Sequence, residues 1–167
     1  SAGGEEFSAI ALPALPEKLD FAGEEVPLEY FDVREALQRE LLVTSYMHSG
    51  TFRTLLNMKR YFSVIEPILE RNGIPDDFKY LCMAESALNP ETVSPAGAAG
   101  LWQFMPKTGR EYGLAVGSQV DERYDIEKST EAACAYLRDA YERFGSWTLA
   151  AAAYNAGNAG VSRRMEI

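Results

Sequence analysis

Glu85 follows Phe78, Leu81 and Cys82 at helical spacing, on one apolar stripe, just before Asn89-Pro90 stops the helix. On periodicity alone the plainer reading is a half-exposed carboxylate at a helix end. The sharper reading is a general acid. Desolvation disfavours the charged form of a carboxyl and pushes its pKa upward, so that a Glu can deliver a proton near neutral pH. Glu91 lies in the loop just beyond and can reach the same cleft, but nothing places it on an apolar stripe. Asp121, Glu122 and Asp125 fit a turn and a helix cap better than an acid site.

Other chemistries have less to work with. His48 is the only histidine, so a Ser-His-Asp arrangement would have to run through that one residue. Cys82 and Cys134 each sit in an apolar helical pattern and lack metal-ligand spacing, so two free core thiols are expected, a single bridge being the alternative in an exported protein, with no metal and no cofactor. The net charge of -9 opposes a nucleic-acid binder that tracks phosphates, which wants a basic face. No apolar run nears the roughly 20 residues that a membrane-spanning helix needs. A chain of 167 residues, 47% hydrophobic and 25% charged, suits one globular domain with a sizeable core.

The elements that must position Glu85 are helices. Residues 1–30, with Pro13, Pro16 and Pro27, are expected to form an extended, irregular arm laid over or beside a domain spanning 31–167. Asp32-Val-Arg-Glu35 has the form of a capping box, and Val33, Leu37 and Leu41 recur on one face after it. Thr51 to Phe62 continues a helical pattern. Ser63-Val-Ile-Glu66 repeats the capping signal with Pro67 near a first turn, and Gly73 with Pro75 ends that helix. Asp76 or Asp77 is expected to cap the helix that carries Glu85.

Beyond Glu85, Val93 to Gly100 is a small-residue turn where backbone can approach something closely. Leu101 to Met105 suggests a short apolar helical piece, and Pro106 suits the first turn of another helix that Gly113 closes. Asp125 starts the clearest helix, with Ala133, Tyr136, Leu137, Ala140, Tyr141 and Phe144 on one face. Gly145 stops it, Ser146 caps the next, and Trp147 to Ala156 is alanine-rich. No stretch offers strand alternation, so the domain is expected to be all-α.

Four stretches stand out: Glu85-Ser86, Ser94-Pro-Ala-Gly97, Gly100-Leu-Trp-Gln-Phe-Met-Pro106 and Ala153-Tyr-Asn-Ala-Gly157. In order and spacing they resemble the lytic transglycosylase domain, a helical lysozyme-like family that cleaves the glycan strands of peptidoglycan. Tyr61 to Tyr80 and Asp121 to Thr130 look most like the membrane-bound D branch of that family. The resemblance covers about residues 30 to 161. It implies cleavage of the MurNAc-GlcNAc β-1,4 bond without water, leaving a 1,6-anhydromuramoyl end. One carboxyl then suffices, Glu85 as acid first and base second, because the muramoyl acetamido group and 6-hydroxyl replace a second carboxylate and water.

The same resemblance assigns the surroundings. Tyr154 is expected beside the acid, where its hydroxyl orients the carboxyl and stabilises developing charge. Ser86 is expected to hydrogen-bond near the acid or the sugar, Gln103 to face the glycan, Met105 to line the groove and Asn155 to hold amides at the cleft wall. Gly100, with Gly97, would let the chain pass close to the glycan. Trp102 stands where the family has a small or aliphatic residue, and is either core or a stacking plate for a sugar ring. Ile126 stands where the family often has Pro.

The expected partner is peptidoglycan in the bacterial cell envelope, periplasmic or outer-membrane-associated, with any membrane anchor in segments outside this chain. Family chains run on after the Tyr-Asn-Ala-Gly stretch through helices that finish the groove, so the domain is expected to be C-terminally incomplete at Ile167. The rival readings are a hydrolysing lysozyme of goose type and a non-catalytic peptidoglycan-binding domain.

Overall fold

The computed structural model describes residues 15–29, 34–35 and 48–158, apart from the side chains of 48–55 and 158. In chain order the elements are a hairpin of β1 (Asp20–Phe21) and β2 (Glu24–Glu25), then α1 (His48–Arg71), α2 (Phe78–Ser86) and α3 (Pro106–Glu111). A 3-10 turn (Glu122–Tyr124), α4 (Ile126–Phe144) and α5 (Trp147–Asn158) complete it. Among the described residues the chain is helical apart from that hairpin and isolated bridges, as the apolar spacing predicts.

α4 is the central support, packed on both α1 and α5. Asp125 caps it by accepting from the Lys128 amide, and Gly145 ends it in the left-handed region at φ 67°. Its buried stripe of Ala133, Cys134 and Leu137 meets Ile65, Ile68 and Leu69 of α1. Both cysteines are free and buried. Among the described residues no helix is long and apolar enough to cross a membrane.

Several local expectations are corrected. α1 does not restart at Ser63: it runs unbroken to Arg71 with Pro67 inside it. The Ser63 hydroxyl donates back to the Arg60 carbonyl instead of capping. Pro67 is solvent-exposed, while Phe62, Ile65, Ile68 and Leu69 hold the helix to the core on either side of it. That burial outweighs the one backbone bond the proline removes. Leu101 to Met105 is not helical. It is a turn followed by a bridge from Phe104 back to Ala99.

The arm also contains order that no alternation announced. Ala22 (φ 54°) and Gly23 (φ 78°) are both left-handed, the two-residue connection that matches strand twist in a tight hairpin. The hairpin is tied to the domain at three points. Phe21 packs edge-on against Phe78 at 5.0 Å, the Ala22 amide donates to the Asp77 carboxylate at 2.8 Å, and Glu24 caps α5. Asp77 therefore occupies the position before α2 without capping it, because its carboxylate is taken by the hairpin. The expected helix through Val33, Leu37 and Leu41 lies outside the described residues, save Arg34 and Glu35, and so does the His48 side chain.

Candidate active site

α2 aims Glu85 by burying what precedes it. Phe78 and Cys82 are fully buried two turns and one turn earlier, respectively, which leaves Glu85 at the rim of the core, partly exposed. Burial, with the nearby Glu85 charge second, pushes the Cys82 thiol well above its ordinary value, so it stays protonated. The helix ends immediately afterwards. Ala87 and Leu88 both take left-handed backbone, at φ 51° and 56°. Side chains rarely adopt that region, and full burial of Leu88 is what holds it there.

The facing wall is the segment from Thr92 to Phe104. Ala99 bridges to both Val93 and Phe104, and the Gly100 amide donates to the Thr92 carbonyl at 3.0 Å. Gln103 closes the turn with φ 51°. Its Nε2 donates to the carbonyls of Thr92 at 2.9 Å and Gly100 at 2.8 Å. Both amide hydrogens are thereby used inside the wall, and Oε1 is the atom left for a ligand, as an acceptor.

α5 supplies the third side. Asn155 is exposed at the cleft, whereas Tyr154, one position earlier, points into the core. Tyr154 lies edge-on to Trp102, Phe104 and Tyr136, with centroids 6.1, 5.8 and 5.0 Å away. Its hydroxyl donates to the Trp102 carbonyl at 2.6 Å. Glu85, Ser94, Pro95, Ala96, Ala98, Gln103 and Asn155 together line a cleft of about 360 Å³. Among the described residues Glu85 is the one ionisable group of that lining; the other polar side chains are two amides and a serine.

The transglycosylase SLT domain family matches residues 63–166, more than half of the chain and the whole of this cleft. The chain belongs to that family. The membrane-bound lytic murein transglycosylase D of Escherichia coli K12 is 35% identical over 150 residues, covering 87% of this chain and 32% of the relative. The soluble lytic murein transglycosylase of the same strain is 37% identical over 78 residues, 44% of this chain and 12% of the relative. A transglycosylase of Enterobacteria phage PRD1 is 37% identical over 73 residues, 44% of this chain and 25% of the relative. The chain thus spans about a third of the length of the membrane-bound relative.

Within this SLT domain the expected site residues divide. Glu85, Gln103 and Asn155 come together at the cleft. Trp102 does not line it. The ring is wholly buried and its indole N–H donates to Thr130 Oγ1 at 2.9 Å, so of its two readings the core one holds. Ser86 is buried and its hydroxyl donates to the Cys82 carbonyl at 3.2 Å, one turn back in its own helix, rather than toward the cleft. Met105 sits at the start of α3, half-buried and outside the lining.

Gly100 is required by the packing of the wall itself. A Cβ there would stand 1.9 Å from the Arg123 carbonyl oxygen, so what comes close is the protein's own 3-10 turn. Asp121, Glu122 and Asp125 act as turn and cap residues, Asp121 accepting from the Arg123 amide and Asp125 from that of Lys128.

Two supporting residues were not singled out in advance. Arg123 is a buried cation behind the wall. Glu24 accepts from the Trp147 and Thr148 amides at 2.6 and 2.8 Å and from the Ser146 hydroxyl at 2.7 Å, at the start of the helix carrying Asn155. Burial acts to raise the Glu24 pKa, but the Thr148 hydroxyl first, and then these bonds, outweigh it and lower it to about 2. The Thr148 hydroxyl faces the carboxylate outside hydrogen-bond geometry. Among the described residues no cluster of acidic, His or Cys side chains could hold a metal ion.

Proposed function

We propose that this SLT domain cleaves peptidoglycan glycan strands as a lytic transglycosylase, with Glu85 as general acid and then general base. The observation that carries the reading is the cleft lining itself: one carboxyl among neutral polar groups. A two-carboxylate glycosidase needs a second acidic side chain within about 5–10 Å of the first, as nucleophile or as base for water. Among the described residues the lining contains none, so the proposed second function falls to the substrate.

The steps follow from that. Glu85 donates its proton to the oxygen linking C1 of the muramoyl sugar to C4 of the next residue. The C1–O bond breaks and its electron pair stays with the departing 4-oxygen, leaving oxocarbenium character at C1. The acetamido oxygen of the same sugar adds to C1. Glu85, now a carboxylate, then takes the proton of the 6-hydroxyl as O6 attacks C1 and displaces the acetamido oxygen. The sum is bond cleavage with a 1,6-anhydro ring and no water consumed, and Glu85 ends protonated as it began.

Gln103 and Asn155 supply orientation. Gln103 Oε1 accepts from an N–H or O–H of the sugar, and Asn155 can donate and accept. The Tyr154 hydroxyl donates to the Trp102 carbonyl and so fixes the turn leading into Gln103, and its oxygen, which can still accept, is proposed to orient the Glu85 carboxyl. The proposed setting is the bacterial cell envelope, with attachment to a membrane, if any, through other segments of a longer protein.

Mass spectrometry of digested sacculi tests the reading. Anhydro ends are expected; reducing ends alone would mean a hydrolytic lysozyme, and binding without turnover a non-catalytic domain. Glu85→Gln should abolish cleavage and leave the helical circular dichroism unchanged. Retained cleavage would move the acid elsewhere.

A further inference from the structure

The wall that carries Gln103 is held from behind by one guanidinium. Arg123 is 8% exposed. Its Nη1 donates to the carbonyls of Gly97 at 2.8 Å and Phe104 at 3.0 Å. Those two carbonyls bracket the segment 98–103, which contributes Ala98 and Gln103 to the cleft. Nε and Nη2 of the same side chain hold the Asp121 carboxylate at 2.7 to 3.2 Å. The residue's own carbonyl packs on Gly100, at the middle of the bracketed segment. Its aliphatic stem lies 3.4 Å from where a Cβ on Gly109 would be.

We infer that Arg123 is a positioning residue of the cleft, fixing the 97–104 turn so that Gln103 presents Oε1 to the glycan. It touches no substrate and acts through Gln103. The fork is what the job requires: one nitrogen spans two carbonyls while the others grip a carboxylate, in a plane that a lysine ammonium cannot reproduce. Asp121 completes the device by fixing the guanidinium plane.

The inference rests on reading this cleft as the glycan site, and two measurements separate the two claims. The first uses the free protein. Nitrogen-15 NMR of the Gln103 side-chain amide should show slow hydrogen exchange, because both hydrogens are bonded in the wall. Arg123→Lys should speed that exchange roughly tenfold or more while α4 backbone amides keep their protection. Asp121→Asn should do the same in weaker form, and serves where the lysine variant fails to fold. Unchanged Gln103 exchange in a folded variant overturns the inference.

The second measurement is a double-mutant cycle on the dissociation constant of an N-acetylglucosamine tetramer, in a Glu85→Gln background. Arg123→Lys and Gln103→Ala should each weaken binding roughly tenfold, and together little more than either alone. Additive losses would make Arg123 a general stabiliser and overturn its link to Gln103. If the tetramer does not bind the unsubstituted cleft, the glycan-site reading fails, while the exchange experiment still decides what Arg123 does.

Discussion

The Tyr154 hydroxyl donates to the main-chain carbonyl of Trp102 at 2.6 Å, joining α5 to the turn that ends in Gln103. The bond is fully buried and surrounded by three aromatic rings. Tyr154→Phe keeps the rings and removes only the hydroxyl. It should cost about 1–2 kcal/mol, a fall of roughly 3–6 °C in Tm for a domain of this size. Tyr154→Ala, which also empties the ring site, should cost about 3–5 kcal/mol. Activity should fall in Tyr154→Phe by loss of kcat, measured at a temperature where the variant is fully folded. An unaltered kcat would separate Tyr154 from the chemistry altogether.

Glu24 lies more than a hundred residues before the helix it caps. With its pKa at about 2, its stabilisation is complete above the ordinary Glu value near 4.5 and disappears as pH falls toward 2. Glu24→Gln should therefore lower Tm by an amount that is constant above about pH 5 and shrinks on acidification. A cap of this kind is worth about 1–2 kcal/mol. Thermal melts of both proteins from pH 7 to pH 2.5 decide it. A Tm difference that persists unchanged at pH 2.5 would show that the charge is not what matters.

The two glycines of the small-residue turn should respond differently to alanine. Gly97 (φ 94°) has open space around its missing Cβ, so Gly97→Ala carries only backbone strain, about 1–2 kcal/mol. A Cβ added to Gly100 (φ 82°) would stand 1.9 Å from the Arg123 carbonyl oxygen, a clash no side-chain rotation can relieve. Gly100→Ala must displace the 3-10 turn or the wall, and should cost well over 3 kcal/mol. Chemical denaturation of the two variants side by side makes the comparison. Equal losses would mean the turn yields more readily than its packing suggests.

What was legible in the sequence was what periodicity and capping encode. α4 shows this best, because its apolar spacing, Asp125 cap and Gly145 stop act locally and agree with its tertiary role. The apolar stripe put Glu85 at a helix end on the rim of the core, while its role as the acid and the surrounding motif assignments came from resemblance. What stayed hidden depends on distant partners. Ser63-Val-Ile-Glu66 carries a capping signal that burial of Phe62 and Ile65 overrides. Asp77 carries another, diverted by an amide 55 positions away. Arg123 looked like one more charged residue before a helix, because the two carbonyls it holds sit 19 and 26 positions upstream. The hairpin was missed because two-residue strands are too short to alternate, and the adjacent left-handed Ala22 and Gly23 were its one local signal.

Gln103→Glu is nearly isosteric, yet it should be worse than its size implies. Nε2 now donates to two backbone carbonyls, and a carboxylate would turn lone pairs toward both. Repulsion without a compensating donor disfavours the charged form, so the new carboxyl should have a folded-state pKa above its unfolded value near 4.5. The sign follows. Protonation favours the fold at this position, since a neutral carboxyl can still donate to one of the carbonyls. The deficit should be smallest below about pH 4 and grow as pH rises through the folded pKa, reaching roughly 2–3 kcal/mol at neutrality. Denaturation of Gln103→Glu and the unsubstituted protein at pH 4 and pH 7.5 measures it. A deficit that is the same at both values would place the Gln103 oxygen, rather than its nitrogen, against the wall.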